Sequence, residues 1–234
     1  MKRFYKLVST AAEAGGFAVL LDGKPVKTPG RVPLLAPTSA LADAIMAEWA
    51  AQKEIIDPDS MPLTQILTTT IDRVIPMRDE ISAQVLNYLD TDLVCYLAAG
   101  PEVVVAVQAE QWDPVRAWFM SRFGVSLLTT TALTALRQPQ VAHDAVASVV
   151  MTLDDYRFSA FQLVVATTGS LVLALGFMDG AWGADKLFSA MHVEEDYKAA
   201  LYNEDFYGRA PNQEKRENAV RIDLQAAQDF IALL

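Results

Sequence analysis

The sequence predicts an α+β chain, a small N-terminal antiparallel β-rich domain followed by a larger all-helical domain. Three observations predict it. Short β-type runs separated by tight-turn pairs crowd the first 36 residues. Proline-marked breaks at Asp57-Pro58 and Met61-Pro62 follow one helical segment and set the expected division at 1–60 and 61–234. Beyond them, apolar residues recur at the helical period.

In the first domain, Arg3 to Ser9 and Gly16 to Leu21 read as strands. Asp22-Gly23 is a hairpin signal returning the chain through Val26-Lys27-Thr28, and Pro29-Gly30 turns it again before Val32 to Ala36. Pro37-Thr38-Ser39 opens a helix carrying Leu41, Ile45, Trp49 and Gln52 at helical spacing, with Trp49 expected in the core. In the second domain, helices are expected over Leu63 to Val74 and about Arg78 to Leu89. Asp90-Thr91-Asp92 is expected to cap the turn that follows, with Leu93 to Leu97 buried. Trp112-Asp113-Pro114 reads as a cap followed by proline at the first helical position, starting a helix that Gly124 stops. Val125 to Leu136 is β-prone, His143 to Leu153 reads as a helix, and Asn212 to Leu234 is an amphipathic helix with Val220, Leu224, Ala227 and Ile231 on its dry seam.

Phe158 to Met178 carries no charged side chain, long enough by itself to suggest a membrane span. Thr167-Thr168-Gly169-Ser170 divides it, Asp154-Asp155 and Asp179 flank it, and no basic cluster or aromatic belt brackets it. A central helix of a soluble core is the expectation. A further helix is expected from about Ala184 to Glu204, on which Ala184, Leu187, Phe188, Met191 and Tyr202 share a face with Glu195, with Glu194 and Lys198 at its edges. An acid in an apolar stripe is costly to desolvate without a partner. Two readings follow: an i,i+4 pair from Glu194 to Lys198 with Glu195 at a wet rim, or a stripe that meets a partner protein whose donor Glu195 awaits.

Nineteen basic against 29 acidic residues, a net charge of −10, argue against nucleic acid. One cysteine, Cys95, excludes an internal disulfide and points to a reducing compartment; with His143 and His192 the only histidines, a zinc site is not expected. Cys95 reads as a structural thiol, with a nucleophile served by His143 as the alternative. Gly176, Gly180 and Gly183 ahead of Lys186 lack the Gly-Lys-Ser/Thr ending of a phosphate loop and read as helix punctuation. Asp154 and Asp155 would point about 100° apart on a helix, which suits a cap better than acid/base chemistry. An enzyme of unrecognised class with a pocket near Asp154, Asp155 and Glu195 is the alternative function.

Several motifs resemble one family. Arg3-Phe4-Tyr5-Lys6, Leu21-Asp22-Gly23-Lys24-Pro25-Val26-Lys27-Thr28-Pro29, Glu48-Trp49-x-x-Gln52, Met61-Pro62-Leu63-Thr64 and Ile71-Asp72-Arg73-Val74 are similar to the assembly chaperones for the α subunit of the F-type ATP synthase head. The likeness continues through Thr91-Asp92-Leu93-x-Cys95-Tyr96, Gln108-x3-Trp112-Asp113-Pro114, Glu194-Glu195 and Arg221-x-Asp223-Leu224. Leu97, Lys198, Tyr202 and Asn203 depart from that pattern. The resemblance implies the same two-domain division and a chaperone that binds unassembled α subunit until the β subunit replaces it. It implies no catalysis, cofactor or small-molecule substrate. It places the protein in the bacterial cytoplasm, or the mitochondrial matrix for a eukaryotic relative. The family's functional acid falls on Glu194 or Glu195, with Met191, Lys198 and Tyr202 as expected neighbours at the contact. Trp49, Asp72, Arg73, Asp92, Trp112 and Asp113 are expected to be structural.

Overall fold

In the structure, a computed structural model that describes residues 1–201 and 211–234, the chain opens on a four-stranded antiparallel sheet. Strand β1 (Val8–Glu13) pairs with β2 (Gly16–Leu21), and β2 pairs on its other side with the two-residue strands β3 (Lys24–Pro25) and β4 (Leu35–Ala36). The Asp22-Gly23 turn forms as expected, with both residues at positive φ, 49° and 79°. The first strand begins later than the sequence suggests. Asp22 Oδ1 accepts hydrogen bonds from the Lys6 and Leu7 amides at 3.0 and 2.8 Å, taking up donors that a strand would share. Lys2 instead bridges to Ile55. The expected strand Val32 to Ala36 shortens to β4.

Helix α1 (Ser39–Ala51) is capped by Thr38, whose hydroxyl accepts from the Leu41 amide at 3.2 Å, and buries Leu41, Ala42 and Ile45 over β2. Trp49 is only half-buried, a correction to its expected core position; its ring lies edge-on to the buried Tyr5 ring, with centroids 5.8 Å apart. The helix expected to Val74 is α2 (Pro62–Thr69), which widens into a π turn over Thr70–Val74. Helix α3 (Arg78–Leu86) passes into a 3₁₀ turn over Asn87–Thr91.

The remaining α-helices among the described residues are α4 (Glu102–Phe123), α5 (Gln140–Val150), α6 (Asp155–Thr168), α7 (Leu171–Met178), α8 (Ala184–Met191), α9 (Val193–Leu201) and α10 (Pro211–Ala232). Trp112-Asp113-Pro114 does not start a helix: α4 begins at Glu102 and carries Pro114 inside it. Lys186 Nζ donates to the Gln111 carbonyl at 3.0 Å and to its Oε1 at 2.7 Å, one turn ahead of the proline that interrupts the ladder. The uncharged run is two helices. Gly169, at φ 66°, ends α6, and the Ser170 hydroxyl accepts from the Leu173 amide at 3.0 Å to begin α7, buried from Leu171 to Phe177. Among the described residues no helix is long and apolar enough to cross a membrane. The β-prone stretch after α4 makes one parallel bridge, Tyr96 to Thr130, and no strand.

The chain divides into two compact units. One comprises Met1–Ile81 with Leu153–Ala160 and Ala226–Leu234; the other comprises Ser82–Thr152 and Phe161–Gln225. The N-terminal unit thus extends past the division expected at residue 60 and includes α1, α2 and short segments from later in the chain.

Candidate functional site

The expected helix from Ala184 to Glu204 breaks at His192, whose φ of −102° and ψ of 9° end α8, and α9 starts again at Val193. The carbonyl of Ala190, which a continuous helix would offer to residue 194, accepts the Trp112 indole N–H at 2.7 Å. His192 lies stacked on Phe188 with ring centroids 3.9 Å apart, and its Nδ1 is 2.9 Å from the Phe188 carbonyl. The Arg221 guanidinium sits 3.4 Å from the centre of the same ring. Two planar groups that close to one ring occupy its opposite faces, so Phe188 is clamped between an imidazole and a cation.

The break re-aims the acids. Among the described side chains of α9, Val193 and Ala199 are buried, while Glu194, Glu195, Asp196 and Lys198 are exposed. Glu195 therefore does not lie in the apolar stripe of α8; that expectation is corrected by the elbow at His192. The three acids occupy the first turn of α9, where the helix dipole favours them. Glu194 Oε1 accepts from Gln108 Nε2 at 3.3 Å, and Gln108, 1 % exposed, accepts the Ala98 amide at 2.7 Å. No Glu194–Lys198 ion pair forms among the described residues. Glu195 has no hydrogen-bond or ion-pair partner among them. Met191 is half-buried beside the elbow. Tyr202, Asn203 and Glu204 lie outside the described residues. Gln108 and His192 were not singled out as site residues from the sequence, because their roles depend on contacts rather than on spacing.

The profile of the ATP12 chaperone protein family matches residues 2–120. The structure superposes on the crystal structure of Atp12 from Paracoccus denitrificans with a TM-score of 0.88 and 34% identity, covering 99% of this chain and 97% of that one. The Atu1473 protein of Agrobacterium tumefaciens gives a TM-score of 0.89 at 34% identity, covering 99% of this chain and 85% of that one. The chain belongs to the ATP12 chaperone family. A more distant relative is the mitochondrial protein atp12 of Schizosaccharomyces pombe, 23% identical over 209 residues, which are 84% of this chain and 72% of that protein.

The ATP12 motif residues form clasps within each unit. Both Glu48 oxygens take donors at the start of α2: the Leu63 amide at 2.7 Å, the Thr64 amide at 2.8 Å and the Thr64 hydroxyl at 2.6 Å. Asp72 receives the Thr28 hydroxyl at 2.6 Å and the Gly30 amide at 2.8 Å, so close that a β-carbon on Gly30 would lie 2.7 Å from its Oδ1. Arg73, beside it, is exposed. Asp92 is fully buried and receives the Ser170 hydroxyl at 2.6 Å and the Val172 amide at 2.9 Å, with the Val94 amide at 3.2 Å. Burial pushes its carboxyl up to about 6 despite these bonds, which oppose the shift. Asp113 pairs with Arg116, which also donates to the Val94 carbonyl at 2.5 Å.

The residues weighed for chemistry are otherwise engaged. Burial pushes the Cys95 thiol up to about 12, the reverse of an activated nucleophile, and the thiol accepts from Gln138 Nε2 at 3.6 Å. His143 Nε2 lies 2.9 Å from Asp90 Oδ1. Asp155 pairs with Arg78 at 3.2 Å and Asp154 with Arg157 at 2.6 Å, so neither acid stands as an unengaged base. Gly176 lies against the Trp182 ring, where a β-carbon would come within 1.9 Å, while Gly180 and Gly183 bound helices α7 and α8. No cluster of three or more metal-binding side chains occurs among the described residues.

Proposed function

We propose that this chain binds the unassembled α subunit of the F-type ATP synthase head in the bacterial cytoplasm, shielding it until the β subunit takes its place, without turning over a substrate. Near full-length likeness to Atp12 carries the reading. An unassembled subunit exposes apolar surface that drives aggregation. A chaperone that must later be displaced suits a modest interface with a few anchors. The first turn of α9 supplies candidate anchors: Glu195 is exposed and unpartnered among the described residues, Glu194 and Lys198 flank it, and Met191 offers half-buried apolar surface at the elbow. On this reading the partner contributes a cation to α9. Mixing the chain with isolated α subunit tests it. A stoichiometric complex on size exclusion and suppressed light scattering on warming are expected. Unchanged aggregation with no complex would contradict the proposal.

A further inference from the structure

Two exposed arginines flank the Asp72 clasp, and nothing in their own chain matches them. The hairpin after Val26 is closed by the Thr28 amide on the Val32 carbonyl at 2.9 Å and by the Lys27–Pro33 bridge, and its tip is Pro29-Gly30-Arg31. Asp72 holds that tip through Thr28 and Gly30 from within the π turn, which the Ile75 amide closes onto the Thr70 carbonyl at 2.9 Å. The clasp sets Arg31, next after Gly30, and Arg73, next after Asp72, on either side of one contact. Arg31 takes a φ of 65°, a left-handed conformation uncommon outside glycine, and π turns are rare and recur at functional sites. Among the described residues neither guanidinium makes a hydrogen bond, an ion pair or a ring contact.

The positive charge is local to the clasp. No acid occurs from Gly23 to Ala42, and 60–71 carry no charged side chain. The Asp72 oxygens are taken up by Thr28 and Gly30, and Asp79, further along, acts on Arg78. Thr28 points toward Asp72, so Lys27, its neighbour in the strand alternation, faces away and lies outside the site. An anion at this spot meets guanidinium groups and no backbone cradle. The Gly30, Arg31 and Val32 amides already donate to Asp72 Oδ2 at 2.8 Å, the Thr28 carbonyl at 2.8 Å and the Thr28 hydroxyl at 3.3 Å, and Pro29 and Pro33 have no N–H. The tip thus offers no phosphate nest, whereas forked guanidinium groups match carboxylates. Exposed Val32 follows Arg31 and exposed Ile75 lies two residues past Arg73, adding apolar surface that a polypeptide can cover and a small anion cannot. A second copy carries the same net charge of −10 and is disfavoured. We propose that Arg31 and Arg73 form a docking point for a segment of the client polypeptide that combines acidic with apolar side chains. The client's identity rests on the function proposed above.

Two probes separate this inference from that function: a soluble peptide alternating glutamate and valine, and the isolated α subunit. In NMR spectra of the wild-type chain the peptide is expected to shift the Nε–H resonances of Arg31 and Arg73, and a peptide with lysine in place of glutamate should leave them in place. Affinity for the isolated α subunit should fall about fivefold in Arg31→Asn, which keeps the left-handed turn, and about tenfold or more in Arg73→Glu. Lys27→Glu makes the same charge reversal on the other face of the hairpin and should alter affinity by less than about twofold. If a variant does not fold, the two arginine resonances of the wild-type chain decide. Shifts with the peptide but no α-subunit complex would refute the proposed function and leave the docking point standing; failure of both probes would refute both. An α-subunit complex that neither arginine substitution weakens would refute the docking point, whatever the peptide does, and leave the function standing. An equal loss in Lys27→Glu would reduce the effect to net charge, and equal shifts with inorganic phosphate alone would make this a small-anion site; either overturns the inference. Self-association abolished by Arg73→Glu would assign the arginines to a second copy and overturn it as well.

Discussion

Asp92 and Glu195 are both carboxylates belonging to the motifs that carry the family likeness, yet their surroundings are opposite. Asp92 is fully buried at the start of α7, with hydroxyl and amide donors arranged around it. Glu195 stands exposed on the first turn of α9, facing no donor among the described residues. Inside, an acid surrounded by its own chain fixes how segments distant in sequence meet. Outside, the same group is free to meet another molecule. The difference teaches that a motif shared with a family does not distinguish architecture from contact; solvent exposure and hydrogen-bond satisfaction do.

Substitutions can break or sharpen that comparison. The largest effect is expected for Asp92→Ala, which orphans the buried amides of Val94 and Val172 at about 1–3 kcal/mol each; urea unfolding should show a loss of about 3 kcal/mol or more. A smaller effect follows from pH. The folded carboxyl of Asp92 titrates near 6, above its ordinary value, so as pH rises from about 4 through 6 the folded state must release a proton that burial favours keeping. Its contribution to stability is present at the acid end and lost across that window. Wild type should lose on the order of 2–3 kcal/mol relative to Asp92→Asn between pH 4 and pH 7, measured by paired unfolding curves. Gly176→Ala should cost about 1–3 kcal/mol, since the indole it would displace is tethered through Trp182 Nε1 to the Leu173 carbonyl at 2.7 Å. Glu48→Ala should cost about 1–2 kcal/mol through the lost cap of α2. Glu195→Lys should change stability least, within about 0.5 kcal/mol.

Much of the fold was legible because local chemistry dictated it. Asp22-Gly23 turned, Thr38 capped α1, and Gly169-Ser170 divided the uncharged run where its polar residues suggested. The structure departs from the local pattern where a distant residue overrides it. Nothing in Met191-His192-Val193 signals a helix break. The break is held by the Trp112 indole, 78 positions earlier, and by the stack of His192 on Phe188. Trp112-Asp113-Pro114 carried a plausible start signal, but α4 had already begun at Glu102 and Lys186 supplied a donor near the interruption. The site was legible as a short acidic motif, not as a surface. That Glu194 is tied to Gln108 while Glu195 is not depends on how α9 lies against α4.

Affinity of the Glu195→Lys variant for isolated α subunit tests the central claim most directly, with its unfolding curve recorded alongside. The expected result is a folded protein of wild-type stability whose complex with the α subunit is weakened by at least about tenfold, the scale of one lost charged anchor. A folded variant that binds and protects the α subunit as well as wild type would contradict it.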